Sequence, residues 1–254
     1  IYPGWKKRAG NRAINFFGFY LQKFSFFLIK RKADKVIVLN SLIRRELIQR
    51  GFKAEKIYLN SNGIDVDQLD SIKKGESSYA GVFLGRLSAS KGTDDLVKIW
   101  KKVCYDLPEA RLAIIGGGSQ EEKQQLLQKV KAVGLQENIY LLGFLEDDEA
   151  FLILKSGKVF LFPSHEEGWG IAVAEAMFCG LPVVSWDLPV YQEVFEDYTI
   201  QVEKGAMDLF AKKVVAILHN NELQKEFGNE GKEFIKKYSW ENVAKMEYEI
   251  LANK

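Results

Sequence analysis

Cysteine is scarce in these 254 residues: only Cys104 and Cys179 occur, far apart and in apolar or helical surroundings. That excludes a disulfide scaffold and suits two buried thiols in a reducing cytosol. Histidine is equally rare, with His165 and His219 alone, and without a cysteine cluster there is no structural zinc spacing. Surplus charge is missing too: a net charge of +2 gives no electrostatic case for nucleic acid. The most apolar stretch, Ile14 to Ile29, is interrupted by Asn15, Gln22 and Lys23 and is too short to span a membrane. The opening IYPGWKKRAG lacks a signal-peptide layout and starts on Ile1 rather than Met. The chain reads as a cytoplasmic fragment whose upstream part is missing.

What is present is ordinary in amount and uneven in placement. A composition of 47% hydrophobic and 28% charged residues fits a soluble globular protein of one large or two modest domains. Residues 1–35, however, hold nine Lys/Arg against Asp34 alone, a net +8 that leaves −6 for the remainder. Within them a helix is expected from Arg12 to Ile29. Phe16, Tyr20, Phe24 and Phe27 fall on one stripe, with Phe17, Leu21 and Leu28 beside it. Two readings stay open: a helix facing the core of a neighbouring domain, or a basic–aromatic surface in peripheral contact with the inner face of a membrane.

A short buried strand at 35–39 is followed by a helix from Ser41, as N-cap, to about Arg50, closed by Gly51. A strand at 56–59 ends in the turn Asn60-Ser61-Asn62-Gly63. A domain boundary is placed near Asn62, with the connector Gly75-Glu76-Ser77-Ser78 as a rival. From Tyr79 apolar strands at 79–84, 111–115, 139–142, 158–162, 182–186 and 199–202 alternate with amphipathic helices. This predicts an α/β fold, a Rossmann-like doubly wound parallel sheet covered on both faces. Helical stretches at 206–219, 222–237 and 240–252, the last capped by Ser239, finish the chain. Ligands of such folds sit at the carboxyl ends of the strands.

The strand ends carry the chemistry. The stretch FPSHEEGWGIAVAEAM, 162–177, runs from a strand through Ser164 and Glu167 into Gly168-Trp169-Gly170 and a helix carrying Glu175. A helix N-terminus presents unpaired N–H groups and partial positive charge to an anion. At ~1.5 Å per helical residue the two carboxylates stand on the order of 10 Å apart, a spacing that suggests two hydroxyl clamps around an anion site. After the first strand come Gly85-Arg86-Leu87 and Lys91-Gly92. Two cations five residues apart can neutralise a diphosphate; the alternative is a pair of solvated surface charges. Gly116-Gly117-Gly118-Ser119 lacks the G-x-G-x-x-G spacing and a Walker lysine, and reads as a tight turn giving a ligand clearance. Phe144, after Gly143, lines a nucleobase pocket or simply packs. His165 reads as a turn histidine rather than a general base. Trp169 packs or supplies a backbone donor, and Trp100, Trp186 and Trp240 read as core or helix-packing residues.

Together these motifs resemble the C-terminal domain of retaining glycosyltransferases with the GT-B fold, family GT4. The matching pieces are Asn62-Gly63-Ile64-Asp65, Gly85-Arg86-Leu87 with Lys91-Gly92, Gly116-Gly117-Gly118, Gly143-Phe144 and Pro163-Ser164-x-x-Glu167-Gly168-x-Gly170. The family's E-x7-E pair falls on Glu167 and Glu175, followed by Gly180-x-Pro182-Val183-Val184. The resemblance implies that Arg86 and Lys91 hold the donor diphosphate and that Glu167 bonds donor-sugar hydroxyls, the three forming the catalytic set. It implies donor contacts from Gly85, Gly117, Phe144, Ser164, Gly168, Trp169, Gly170, Ile171 and Glu175, the last on ribose hydroxyls. It further implies retention of configuration, no metal and no cofactor. The donor would be a nucleotide-diphosphate sugar such as a UDP- or GDP-hexose, and the acceptor a lipid-linked or cell-envelope glycan. The division that follows is 1–61 as a remnant of the N-terminal acceptor-side domain, 62–237 as the donor-binding domain, and 238–254 as a helix crossing back. A chain so divided binds donor at best weakly and transfers nothing alone. Other classes are a non-catalytic nucleotide-sugar or protein-interaction module on the same fold, and a dinucleotide-dependent enzyme using the Gly116 loop. The first would have little reason to keep Arg86, Lys91, Glu167 and Glu175 together, and the second lacks its fingerprint.

Overall fold

The computed structural model describes residues 12–76 and 79–252. In chain order the elements are α1 (Arg12–Lys32), β1 (Val36–Val38), α2 (Ser41–Gln49), β2 (Ile57–Leu59), α3 (Val66–Ser71), β3 (Gly81–Leu84) and α4 (Thr93–Asp106). There follow β4 (Leu112–Ile115), α5 (Gln120–Ala132), β5 (Ile139–Gly143), α6 (Asp147–Ser156), β6 (Val159–Phe162), α7 (Ile171–Phe178) and β7 (Val183–Trp186). The chain ends with α8 (Pro189–Val194), β8 (Ile200–Val202), α9 (Met207–His219), α10 (Asn221–Ile235) and α11 (Trp240–Ala252).

Six parallel strands form one sheet in the order β5-β4-β3-β6-β7-β8. The chain winds outward from β3 through β4 to β5, then returns to the other side of β3 with β6. The two sides diverge between β3 and β6, the crevice where ligands of doubly wound sheets bind. The strands can lie in the middle because they are apolar on both faces: LAII of β4, VFLF of β6 and VVSW of β7 are buried at every position. Helices pack on them through Trp100, Phe178 and Phe210, each at most 1% exposed.

A second, smaller unit precedes the sheet. Strands β1 and β2 pair in parallel, Val36 opposite Ile57, over a separate core of Val38, Leu47, Phe52 and Ile57. The last helix runs along this unit: Asn60 Nδ2 donates to the Val243 carbonyl at 3.3 Å, and Lys35 Nζ to the carbonyls of Ile250 and Leu251. Ile64 bridges to Ser239, and Trp240 packs against Gly63.

Several expectations change. Helix α2 is capped by Asn40, whose Oδ1 accepts from Ile43 N at 2.9 Å, and not by Ser41. Of the two readings of Trp240, core or helix packing, the second holds: it is 53% exposed and lies against Gly63. On α1, Phe26 packs edge-on against Phe52 at 5.9 Å, while Tyr20, Leu21, Phe24, Phe27 and Leu28 are exposed, a placement that fits either reading of the stripe. The side chains of Phe16 and Phe17, the basic residues Lys6, Lys7 and Arg8, and the connector residues Ser77 and Ser78 lie outside the described residues. Cys104 and Cys179 are free thiols, and burial pushes them up to about 11 and about 12. Among the described residues no helix is long and apolar enough to cross a membrane.

Candidate functional site at the switch point

Strands β3 and β6 are hydrogen-bonded neighbours, so the loops leaving their carboxyl ends are adjacent. The β3 loop carries Gly85, Arg86 and Lys91; the β6 loop carries Ser164, Glu167 and Gly168–Gly170. The two are stitched together through one carbonyl. Ser90 O accepts from His165 N at 2.8 Å and lies 3.1 Å from Ser164 Oγ. Gly92 makes the approach possible. It sits at φ +69°, and a Cβ there would lie 1.8 Å from the Pro163 carbonyl oxygen.

This close packing brings Lys91 to Glu167. Their side chains, 15% and 9% exposed, form an ion pair, and Ser164 Oγ lies 2.9 Å from the same carboxylate oxygen. The Lys91 ammonium also stands 5.6 Å from the centre of the Phe162 ring. An ion pair with so little water access is screened less than one on the surface. Arg86 is different: it is exposed, and among the described residues its side chain has no ion pair or hydrogen bond. In the ligand-free chain, therefore, one cation of the expected pair is engaged and the other is free.

Helix α7 starts beyond Glu167 with no side-chain cap. Gly170 holds the cap position at φ +113°, where a Cβ would come within 2.9 Å of Phe195. Among the described residues no protein group accepts from the N–H of Gly168, Trp169, Gly170 or Ile171. The N-terminus of α5, after Gly116–Gly118, is by contrast closed by a capping box, with Ser119 N donating to Glu122 Oε2 at 2.8 Å and Glu122 N to Ser119 Oγ at 3.1 Å. Two of its donors are used; among the described residues those at the start of α7 have no acceptor.

The remaining residues divide. Gly85 N donates to Ile115 O, Leu87 N to Gly117 O and Gly116 N to Gly143 O, so the ends of β3, β4 and β5 form one ledge with Phe144 beside Gly117. Phe144 is 71% exposed, so it does not pack. The Trp169 ring is buried against Phe195 and Tyr238, at 5.7 and 5.2 Å, which leaves its backbone as the only part facing a ligand. Glu175 is half-buried on α7, and burial first, then the Asp147 charge, raise its carboxyl to about 7. No cluster of three or more metal-type ligands occurs among the described residues. A concavity of about 460 Å³ lined by Asp106, Glu109, Arg111 and Lys158 lies at the amino ends of β3, β4 and β6 and shares none of these residues.

Three neighbours carry no motif. Asp95 Oδ2 meets His165 Nε2 at 3.2 Å, tying the loops a second time. Asn40 Nδ2 donates to the Gly168 carbonyl at 2.7 Å. Tyr191 is fully buried behind Gly170; burial and then the Glu167 charge push its phenol up, and its hydroxyl has no partner. An aspartate in the first turn of α4 signals a helix start and nothing more, and pairings across 70 to 130 residues leave no local pattern.

Comparison with known proteins places the chain in a family. An uncharacterised glycosyltransferase of Methanocaldococcus jannaschii is 24% identical over 86% of this chain and 58% of its own length. The phosphatidyl-myo-inositol mannosyltransferase of Mycobacterium leprae is 30% identical over 72% of this chain and 50% of its own. The chain thus spans about half the length of the curated relatives it matches. Among solved structures, Anabaena HepE in complex with UDP-glucose superposes with a TM-score of 0.80 at 19% identity, over 91% of this chain and 67% of that one. The model of the family Glycosyl transferases group 1 matches residues 67–234, which include both switch-point loops, and the chain belongs to that family.

Proposed function

We propose that this chain is the donor-binding part of a hexosyltransferase that takes a hexose from a nucleotide-diphosphate sugar and transfers it with retention of configuration. The observation that carries the reading is the meeting of Lys91 and Glu167, from different strands, beside a helix start that no side chain caps. Such a donor brings sugar hydroxyls, a diphosphate, a ribose and a base. The site offers a carboxylate for the hydroxyls in Glu167, two cations and free N–H groups for the diphosphate, Glu175 for the ribose, and the open face of Phe144 for the base. As the glycosidic bond breaks, negative charge grows on the diphosphate, and cations already in place stabilise that charge without a metal. Lys91 then exchanges part of its contact with Glu167 for the diphosphate, which frees Glu167 oxygens for sugar hydroxyls.

The named relatives support this direction. HepE was crystallised with UDP-glucose, and the mycobacterial relative is named for a lipid acceptor. A lipid-linked acceptor also fits α1, whose exposed Tyr20, Phe24 and Phe27 lie on a helix ending in Lys30, Arg31 and Lys32. Transfer itself, on this reading, needs the acceptor half that the longer relatives possess. A thermal-shift screen of UDP-, GDP- and ADP-hexoses tests the donor site. One nucleotide class should stabilise the protein, by about 2.7 kcal/mol at a hundredfold excess over Kd, and lose that effect in Glu167→Ala. Equal stabilisation of wild type and Glu167→Ala would remove Glu167 from the site.

A further inference from the structure

The contact between Asn40 and Gly168 joins the small N-terminal unit to the donor loop, and nothing in the family motif accounts for it. Asn40 is 3% exposed and both ends of its amide are used. Oδ1 accepts from Ile43 N at 2.9 Å and caps α2, while Nδ2 donates to Gly168 O at 2.7 Å. The N-cap acceptor fixes which end of the amide is oxygen, so the donation to Gly168 follows from hydrogen-bond logic. Beside it Ser41 N and Oγ both donate to the Glu193 carboxylate at 2.6 Å, a second tie between the two units.

A trans peptide is planar, with its C=O and N–H pointing in opposite directions, and no cis peptide occurs among the described residues. Holding the Gly168 carbonyl therefore sets the Trp169 N–H. That N–H points away from Asn40 and has no protein acceptor, while the Trp169 ring, 2% exposed, anchors the same residue from the core side. Without Asn40 this peptide has little to stop it rotating, because Gly168 has no neighbour within 4 Å of its Cβ position.

We infer that Asn40 is a positioning residue, which holds the Gly168–Trp169 peptide so that the Trp169 N–H is presented to an oxygen of the donor sugar or diphosphate. The inference rests on the donor-site reading above. It makes donor binding depend on the docking of the small unit, since Asn40 sits at the end of β1 and the start of α2.

Asparagine, aspartate and serine cap helices about equally well, so the capping and positioning roles can be separated. Asn40→Ser keeps the cap, stays neutral and cannot reach Gly168 with a donor. Asn40→Asp keeps the cap and offers Gly168 an acceptor instead. Calorimetric titration with whichever of UDP-, GDP- or ADP-glucose binds wild type should show both variants at least five-fold weaker. The melting temperature of Asn40→Ser should fall by no more than about 4 °C, the size of one lost hydrogen bond in a chain of this length. Wild-type affinity in Asn40→Ser would overturn the inference, as would a loss of affinity that merely follows a loss of melting temperature in both variants. Glu167→Ala is the control. If it too binds like wild type, the donor-site reading itself fails; if it is weak while Asn40→Ser is normal, only the role of Asn40 fails.

Discussion

At the scale of single residues, burial decides the charge state of one carboxylate at the site. Glu175 gives the clearest consequence. Its carboxyl is raised from 4.5 to about 7 by burial. Between those values the folded chain keeps a proton that the unfolded chain has released, so stability falls as pH rises through this window. Above it the full cost, on the order of 3 kcal/mol, is present. Glu175→Gln is expected to raise the melting temperature at pH 8 and leave it nearly unchanged at pH 4.5, which thermal melts at the two values would check. Hydroxyl groups favour the ionised carboxylate, so nucleotide binding should release a proton near pH 7, seen as a buffer-dependent binding enthalpy. The same heat in every buffer would place the ribose elsewhere. Arg86 has no such internal partner. Arg86→Ala should weaken nucleotide-diphosphate binding by ~1.5–3 kcal/mol, the range for hydrogen bonds to charged groups, and unchanged calorimetric affinity would argue against its role.

Elements explain why these residues meet and how much of the meeting could be read in advance. Helix α7 was legible to the residue, because Gly168–Gly170 stops the preceding loop and an apolar run begins at once. The ion pair of Lys91 and Glu167 was not, since it arises from sheet order and no local spacing encodes the adjacency of β3 and β6. Glu167 was read in the loop and Glu175 on the helix, as they stand, but their separation was reckoned at helical rise, whereas the turn at Gly168–Gly170 sets it. The close approach of the loops hangs on Gly92. Gly92→Ala combines a left-handed backbone, costing ~1–3 kcal/mol, with a backbone clash at Pro163. Chemical denaturation should show at least that loss, together with weakened nucleotide binding; a variant as stable as wild type would mean that the loops do not need this contact. Ser41 was misread as a cap because serine and asparagine are equally good caps in adjacent positions, and only the side-chain geometry decides between them.

For the whole molecule, the main feature is a switch-point site on one sheet, touched from a second unit by Asn40, while Ser41 ties the same unit to Glu193. The exposed aromatic and basic residues of α1 predict co-sedimentation with vesicles rich in anionic lipid, weakened by salt. Equal sedimentation with neutral vesicles at all salt concentrations would argue against an electrostatic membrane contact. Most direct is the comparison of UDP with UMP, or the matching pair for the preferred base, in wild type and in the double variant Arg86→Ala, Lys91→Ala. If the two cations at the switch point bind a diphosphate, wild type prefers the diphosphate by at least ten-fold and the double variant loses that preference. A double variant that keeps the full preference would show that the diphosphate is held somewhere else.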